Sequence, residues 1–428
     1  MNYKIAIGLA AFISLYGCQQ EAEQISVSKT AEPSQQVAAK ETAPEVVVLG
    51  SGIDKSGFDE SVRPQDDFFD YVNGSWLKNT EIPADKARWG TFDVLGEQSQ
   101  KDVRALVEEV SGAESVEPGS PTQKIRDFYN AYMDEEAATA VGIEGIRENL
   151  DTIAAIDDMD AVYTAFAQLG VYGVNSPIGI GIFSVMKDPD TIAVYVVQAG
   201  LTLPDRDYYL VDDEQFVNGR QLFLEYATNV FEKAGYSGGA ERAERLLALE
   251  TRLAEVMWTK EENRDWSKRY NPMSVEELDE LAPGINWELG FVAGQIANRK
   301  HYLVSQPSYF EAASEIITDT PLDTWKDYLV LQTISAFAPV LGNEYSQLSF
   351  EFFSKGLRGI DEEEPRWKRA VNSINGNMGE LLGQLYVEKH FQAESKKRMD
   401  ELIENLMKAY EVSITELEWM SDDTKQQA

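Results

Sequence analysis

Apolar residues recur at the helical period through most of the chain from about residue 53 onward. Spacings of three and four residues place such side chains on one face of a helix. The clearest sets are Val103, Leu106, Val107 and Val110; Ile125, Phe128, Tyr129 and Tyr132; Leu246, Leu249, Leu253, Val256 and Met257; and Met399, Leu402, Ile403, Leu406, Tyr410, Ile414 and Leu417. The pattern therefore predicts a mainly α-helical protein.

One region departs from the helical pattern. I-G-I-G-I-F (178–183) and T-I-A-V-Y-V-V (191–197) are rich in β-branched residues, and the turn sequence K-D-P-D lies between them. These segments predict a single β-hairpin. The expected fold is therefore mainly α, with a large helical lobe and a small β-hairpin, and no solenoid repeat is present in the sequence.

The beginning of the chain has a different composition. Lys4 precedes an apolar run, residues 5–15, that is too short to span a bilayer comfortably. The run leads into L-Y-G-C, which ends at Cys18, the only cysteine in the sequence. This segment resembles a bacterial lipoprotein signal, and the resemblance implies cleavage before Cys18 and lipidation of its thiol. An ordinary signal peptide that contains a cysteine is the other interpretation.

We therefore expect residues 1–17 to be a signal peptide and residues 18–52 to be a flexible tether. The tether is rich in Gln, Glu, Ala, Ser and Pro and has no periodicity. Gln19, rather than an acid, follows the cysteine. By resemblance, this favours an anchor in the outer membrane of the bacterial cell envelope, with the protein facing the periplasm.

The charge balance excludes one class of partner. The 428 residues include 38 Lys and Arg against 73 Asp and Glu, for a net charge of −35. Such a chain repels nucleic acid and bare anionic lipid, so no nucleic-acid partner is expected. The hydrophobic fraction of 43% is ample for a sizeable core and argues against global disorder.

The residues by themselves define no catalytic centre. His390 is followed one helical turn later by Glu394, which offers two metal ligands without an evident third, and His301 has no acidic neighbour. H-E-x-x-H, G-x-S-x-G, a Walker loop and a dinucleotide-binding fingerprint are all missing from the sequence. With Cys18 committed to lipid, a cysteine nucleophile is excluded too. We expect no metal site in this chain.

Five stretches of the sequence carry a family resemblance. In order and spacing they resemble the neprilysin family of zinc metallopeptidases, which includes endothelin-converting enzymes and bacterial oligopeptidases. The stretches are V-R-P-Q-D-D-F-F-D-Y-V-N-G-S-W-L (62–77), R-W-G-T-F-D (88–93), L-T-L-P-D-R-D-Y-Y (201–209), V-N-S-I-N-G-N-M-G-E-L-L-G-Q-L-Y-V-E-K-H-F (371–391) and L-E-W-M-S-D-D-T-K-Q-Q-A (417–428).

The resemblance implies an architecture. Members of this family pair a thermolysin-like catalytic lobe with a large α-helical lobe, and the two enclose a cavity that admits peptides and small polypeptides. Residues 53–79 would then be an N-terminal segment of the catalytic lobe and residues 80–365 the α-helical substrate-enclosing lobe. Residues 366–428 would be the start of the catalytic lobe before its zinc helix.

The family's zinc and catalytic motifs lie downstream of the matched stretches. H-E-x-x-H, the E-x-x-x-D helix and the N-A-x-Y segment have no counterpart here. The last residues, 424–428, are expected inside a continuing amphipathic helix, so the chain is interpreted as truncated. No catalytic residue is therefore assigned, zinc is expected only with the missing catalytic half, and a separately encoded catalytic half is a candidate partner.

Arg88, in R-W-G-T-F-D, is the candidate substrate-binding residue. In the neprilysin family the arginine of this motif faces the cavity and binds the free C-terminal carboxylate of short substrates. The resemblance implies this role for Arg88, with Asp93 orienting it, while Trp89 and Phe92 pack and Gly90 gives backbone freedom. The other interpretation is an Arg88–Asp93 ion pair that only ties a loop down.

The motif L-P-D-R-D-Y-Y is expected to be structural. Pro204 sets a turn, Asp205 or Asp207 caps a helix, and the two tyrosines pack.

Two functions follow from these expectations. The first is the substrate-enclosing region of a neprilysin-like zinc metalloendopeptidase that takes part in proteolysis of peptides and is inactive as this chain alone. The second is a non-catalytic lipoprotein of the cell envelope that binds peptides or a partner protein.

Overall fold

The computed structural model describes residues 53–428. The expected signal peptide, the lipidation site Cys18 and the tether therefore lie outside the described residues. The chain forms two compact units, one ending at Asn79 and one beginning at Thr80. Among the helices of residues 53–428, none has both the length and the apolar character needed to cross a bilayer.

The first unit contains a short 3-10 helix, Lys55–Gly57, and helix α1, Phe68–Asn79. Asp59 connects its parts: its carboxylate accepts a hydrogen bond from the Ser61 backbone N–H at 3.0 Å and pairs with Lys78 Nζ at 2.5 Å. A Cβ atom at Gly74 would come within 2.8 Å of Asp59 Cβ. The glycine inside α1 thus permits the close approach of Asp59 to the helix.

The second unit is built mainly from helices. In chain order they are α2 (Thr91–Ser111), α3 (Pro121–Met133), α4 (Glu135–Val141), α5 (Arg147–Ala154), α6 (Met159–Gly170), α7 (Asp207–Leu210), α8 (Glu214–Lys233), α9 (Gly239–Val256), α10 (Val275–Leu281), α11 (Trp287–Ala293), α12 (Pro307–Asp319), α13 (Leu322–Phe337), α14 (Asn343–Ser349), α15 (Arg366–His390), α16 (Ala393–Glu416) and α17 (Asp422–Gln427). The mainly α-helical fold is confirmed. The four apolar sets coincide with α2, α3, α9 and α16.

A small sheet interrupts the helices, and the predicted hairpin forms its larger part. The strands are β1 (Ile178–Val185), β2 (Asp188–Gln198), β3 (Asn271–Met273) and β4 (Tyr302–Val304). Their order in the sheet is β1-β2-β4-β3, with β2 and β4 parallel and the other pairs antiparallel.

The hairpin turn is two residues, Met186 and Lys187, rather than the predicted K-D-P-D. Asp188, Pro189 and Asp190 instead belong to β2. A proline fits there because β4 pairs only with Tyr195 and Val196, so no strand on that side needs a donor from position 189.

Two apolar cores organise the second unit. The larger lies mainly among α5, α6, α8, α9, α11, α12 and α13. The other is formed by α2, α3 and α15, where Leu106, Ile125 and Ile374 are buried together. This core fixes α2, whose first turn follows the R-W-G-T-F-D segment.

The end of the chain differs from the expectation. One amphipathic helix was predicted to continue through the last residues, but α16 ends at Glu416 and Leu417 is extended, with φ −68° and ψ 117°. The Ser421 side chain accepts a hydrogen bond from the Thr424 N–H and begins the separate helix α17. Residues 424–427 thus lie in a helix, as expected, but that helix is the short α17 rather than a continuation of α16.

Helix α16 presents its apolar side chains to solvent. None of its residues is buried. Six apolar side chains at helical spacing, each between 47% and 62% exposed, form what we call the α16 stripe: Met399, Leu402, Ile403, Leu406, Met407 and Tyr410.

Candidate functional site

The segment that carries Arg88 runs against the start of α15. The Glu362 N–H donates to the Ala84 carbonyl oxygen at 3.1 Å. Lys86 Nζ lies 2.6 Å from a Glu364 carboxylate oxygen and 3.2 Å from a Glu97 carboxylate oxygen. Backbone and side-chain contacts thus fix both the path of this segment and its entry into α2.

A buried ammonium completes the attachment. The side chain of Lys368, on α15, is only 5% exposed, and its Nζ lies 3.0 Å from Asp85 and 2.5 Å from Glu97. Burial alone would raise the pKa of Glu97, but hydrogen bonds from Lys368 and Lys86 outweigh it and hold that pKa below its usual value. Burial alone would lower the pKa of Lys86, but the hydrogen bonds that its ammonium donates to Glu364 and Glu97 outweigh it and raise that pKa. We call Asp85, Lys86, Glu97, Glu364 and Lys368 the anchor cluster.

Arg88 itself projects into solvent. Its side chain is 89% exposed, and its Nε lies 3.9 Å from Asp93 Oδ1, which is beyond hydrogen-bond distance. Asp93 occupies the first turn of α2, and its side chain is 29% exposed. The structure thus places the two predicted site residues side by side as a loose pair, with the Arg88 donors accessible to another carboxylate.

Two expectations about the neighbours of Arg88 were wrong. Phe92 is 89% exposed and does not pack, whereas Trp89 is half-buried. Gly90 has φ −166° and ψ −176°, an extended conformation that any residue adopts, so no glycine-specific backbone freedom is used. An exposed phenyl ring therefore lies within four residues of the exposed guanidinium.

In the motif L-P-D-R-D-Y-Y the predicted helix cap is not formed, because the N-cap residue of α7 is Arg206 and no side chain makes a capping hydrogen bond there. Asp205 accepts a hydrogen bond from the Asp207 N–H at 2.8 Å, and Lys260 pairs with both carboxylates. Tyr208 packs edge-on against Phe216. The turn is therefore held by its own side chains, in agreement with an Asx turn that leads into α7.

Tyr209 of this motif reaches a fully buried carboxylate, Glu250, on α9. The Tyr209 hydroxyl donates to Glu250, and the Thr202 N–H and hydroxyl each lie 2.7 Å from its oxygens. Burial raises the pKa of Glu250 to about 7, against the hydrogen bonds from Tyr209 and Thr202 that favour its charged form.

Neither histidine gathers a ligand set. His390 ends α15 and stacks on Tyr386, while Glu394 lies on the next helix and pairs with Arg398. His301 is exposed just before β4. Within residues 53–428, no three His, Cys, Asp or Glu side chains are grouped so that they could hold a metal ion. The described residues therefore do not fit a zinc ion.

The anchor cluster is the feature that the sequence interpretation missed. The available signal was Lys368 itself, which lies three residues before Val371 and so shares a face of α15 with a buried apolar side chain. A lysine on a buried face requires carboxylates from elsewhere in the chain.

The chain is similar to known peptidases over most of its length. The profile of peptidase family M13 matches residues 64–428. Human endothelin-converting enzyme 1 is 27% identical over 447 residues, which cover 99% of this chain and 54% of that protein. Mouse endothelin-converting enzyme-like 1 is 24% identical, over 86% of this chain and 49% of that protein. The chain thus spans about half the length of these relatives.

Solved structures of peptidases also resemble this chain. The Mycobacterium tuberculosis zinc metalloprotease ZMP1, in complex with an inhibitor, superposes with a TM-score of 0.80 and 33% identity, over 88% of this chain and 57% of that one. PepO from Lactobacillus rhamnosis superposes with a TM-score of 0.72 and 21% identity, over 85% of this chain and 58% of that one. The second similarity supports the fold alone.

Proposed function

Because the chain belongs to peptidase family M13, we propose that it is the substrate-enclosing, N-terminal region of a neprilysin-like zinc metalloendopeptidase. The extent of the family match, residues 64–428, supports this assignment. We further propose that the chain alone is inactive and that zinc and the catalytic groups are supplied by the remaining part of the enzyme. The similarity to a zinc metalloprotease supports the choice of metal.

The observation that carries the proposal is the exposed guanidinium of Arg88 on a rigidly held segment. A guanidinium offers two parallel N–H donors that match a carboxylate, and the anchor cluster keeps its backbone in place. We propose that Arg88 binds the free C-terminal carboxylate of peptides or small polypeptides, and that Asp93 orients it from the first turn of α2.

The α16 stripe is the proposed contact surface for the catalytic part, whether that part continues the same polypeptide or is separately encoded. Exposed apolar side chains at helical spacing are typical of a helix face that packs against protein. Covering six such side chains would supply a substantial share of an interface core.

We also propose that the protein is held at the bacterial outer membrane, facing the periplasm, by lipid on Cys18. The short apolar run followed by L-Y-G-C supports this proposal. The acidic composition is compatible with it, because lipid on a tether keeps the body away from an anionic surface.

The proposed role of Arg88 is tested with two peptides that differ only in a free or an amidated C-terminus. Wild type should prefer the free acid, and Arg88→Met should lose that preference. Lost charge-assisted hydrogen bonds cost on the order of 1.5–3 kcal/mol, or roughly 10- to 150-fold in affinity. Arg398→Met, at another exposed arginine that pairs with a nearby acid, serves as the control.

A folded Arg88→Met variant that retains the wild-type preference would reduce Arg88 to a structural residue. The same comparison, repeated with the catalytic part added, tests the enzymatic proposal. Peptide binding without any hydrolysis in that mixture would favour the non-catalytic lipoprotein instead.

A further inference from the structure

A cavity of about 410 Å³ lies between α6, α11 and strand β1. None of the residues of the anchor cluster lines it, and neither do Arg88 and Asp93. Its walls are mostly apolar, formed in part by Tyr163, Phe166, Ile178, Ile180, Trp287 and Phe291. Its volume falls within the usual range for sites that bind small groups, roughly 300–1,000 Å³.

Strand β1 forms one wall of the cavity and is also the edge of the sheet. Residues two apart on a strand share a face, and Ile178, Ile180 and Ile182 all line the cavity. In the sheet order β1-β2-β4-β3, β1 has a strand neighbour on one side only within the described residues. Its outer backbone groups are therefore positioned to pair with another extended segment.

This edge lacks the usual protection against such pairing. Natural edge strands carry charged residues or prolines, whereas I-G-I-G-I-F, residues 178–183, has neither. Ile182 and Phe183 are 59% and 63% exposed. The register shift between Ser184 and Val185 comes only at the far end of the strand. An extended segment of about six residues could thus pair along β1.

Trp287 supplies a second, independent observation. This cavity-lining residue is 2% exposed, and its buried indole N–H has no hydrogen-bond partner among residues 53–428. Buried tryptophan N–H groups normally have an acceptor, because leaving one unsatisfied is costly. The nitrogen has almost no accessible surface, so a peptide carbonyl inserted between α6 and α11 would provide that acceptor only as the wall around the indole opens.

The charges around the cavity indicate the chemistry of the segment. Asp160 accepts a hydrogen bond from the cavity-lining Asn286, and the exposed Glu288 follows Trp287 on α11. At the hairpin turn, Asp188 is exposed, while the Lys187 ammonium lies over a tyrosine ring. Asp160 thus places a carboxylate beside the apolar walls between α6 and α11, which favours a segment with basic residues beside an apolar one.

We propose that the β1 edge and this cavity form a second peptide-binding site, which holds an extended segment with an apolar side chain flanked by basic residues. The segment pairs with β1 through its backbone and inserts the apolar side chain between α6 and α11. This inference rests on the proposed handling of peptides, but it requires neither Arg88 nor a catalytic part.

The test uses a fluorescent peptide about as long as β1, with a central Phe between lysines, an acetylated N-terminus and an amidated C-terminus. Fluorescence anisotropy gives its Kd for the full chain. Ile180→Glu and Ile182→Glu should each weaken binding by about tenfold or more, because they place a carboxylate in the cavity. Val217→Glu, at a comparably exposed apolar residue on α8, should leave the Kd unchanged.

The backbone contribution is tested on wild-type protein. Two versions of the peptide carry N-methyl groups on alternate amides, and only the version methylated on the strand-pairing side should bind about tenfold more weakly. Any of three results would overturn the proposal. The two methylation patterns could have equal effects, Ile180→Glu and Val217→Glu could have equal Kd values, or wild type could show no saturable binding. Because the peptide is amidated, Arg88→Met should not change its Kd. Failure of this site is therefore distinguishable from failure of the Arg88 site.

Discussion

Lys368 Nζ lies 3.0 Å from Asp85 Oδ2, although 283 positions separate the two residues in the chain. The lysine side chain is almost fully buried and also contacts Glu97. A buried ammonium is tolerated only where carboxylates surround it, so this pairing determines where the segment before α2 can lie. The position of the exposed Arg88 thus depends on a charge cluster centred on a buried ammonium.

Lys368→Met should destabilise the protein. The variant leaves Asp85 and Glu97 partly buried without their ammonium partner, at an expected cost of roughly 2–4 kcal/mol in the free energy of unfolding. Urea denaturation measures the change. Lys355→Met removes an exposed lysine paired with Glu351 and should stay within about 0.5 kcal/mol of wild type. Equal stability of the two variants would show that the anchor cluster contributes little.

The sequence predicted the features that each segment encodes by itself. Helices α2, α3 and α9 each carry their own apolar period, and β1 and β2 their own β-branched residues. Strands β3 and β4 are three residues each, too short for any period to be recognised. Their pairing depends on residues distant in the chain.

The candidate site was predictable in part for the same reason. The motif R-W-G-T-F-D identified Arg88 and Asp93 as neighbours, because they lie within one short segment. The partners of Lys368 could not be predicted, because its carboxylates come from near the start of the second unit. The burial of Glu250 could not be predicted either. It shares the buried face of α9 with Leu246 and Leu253, but an isolated acid in an acidic chain is ordinarily solvated.

Glu250→Gln should remove a pH dependence of stability. The pKa of Glu250 is about 7 in the folded protein, above its ordinary 4.5, so folding favours the protonated carboxyl. Its contribution to stability is fully present below about pH 4.5 and is lost as the pH rises to about 7. The loss is on the order of 3 kcal/mol in the free energy of unfolding.

Urea denaturation of wild type and Glu250→Gln across this pH range measures the difference. The wild-type free energy of unfolding should fall relative to that of the variant as pH rises. Glu255→Gln, at an exposed acid on the same helix, should retain the wild-type dependence. Parallel curves for wild type and Glu250→Gln would contradict the raised pKa.

Gly74→Ala should loosen the first unit. The new Cβ would meet Asp59 Cβ at 2.8 Å, so Asp59 must shift, at a cost of roughly 1–3 kcal/mol. Faster hydrogen exchange of the α1 amides would report this change. Gly96→Ala is the matched helical control, because nothing lies within 4 Å of its added Cβ. That control should be neutral or slightly stabilising, and unchanged exchange in Gly74→Ala would remove the steric argument.

Cys18→Ala should release the protein from the membrane. If lipid on the Cys18 thiol is the anchor, no other element among residues 53–428 can replace it as a bilayer-spanning helix. Fractionation of cells that express the full chain measures the distribution between membrane and soluble fractions. Cys18→Ala protein that stays in the membrane fraction after a high-salt wash would show that another feature holds it there.

Asp93→Asn should affect carboxylate binding much less than Arg88→Met. The Arg88 Nε to Asp93 Oδ1 distance of 3.9 Å and the 89% exposure of Arg88 indicate a weak pair, worth about 0.2–1 kcal/mol. Two effects also oppose each other. Losing Asp93 frees the guanidinium to move, but it also removes a negative charge that repels the bound carboxylate. The preference for a free C-terminus should therefore stay within about fivefold of wild type.

Arg88→Lys separates charge from geometry in the same measurement. Lysine keeps the positive charge but lacks the planar fork, so most of the preference should be lost if binding is bidentate. Asp102→Asn, at another acid further along α2, controls for a general change in charge. An Asp93→Asn variant that loses as much of the preference as Arg88→Met would contradict a weak pair. It would mean that Asp93 and Arg88 move within hydrogen-bond distance of each other when the peptide binds.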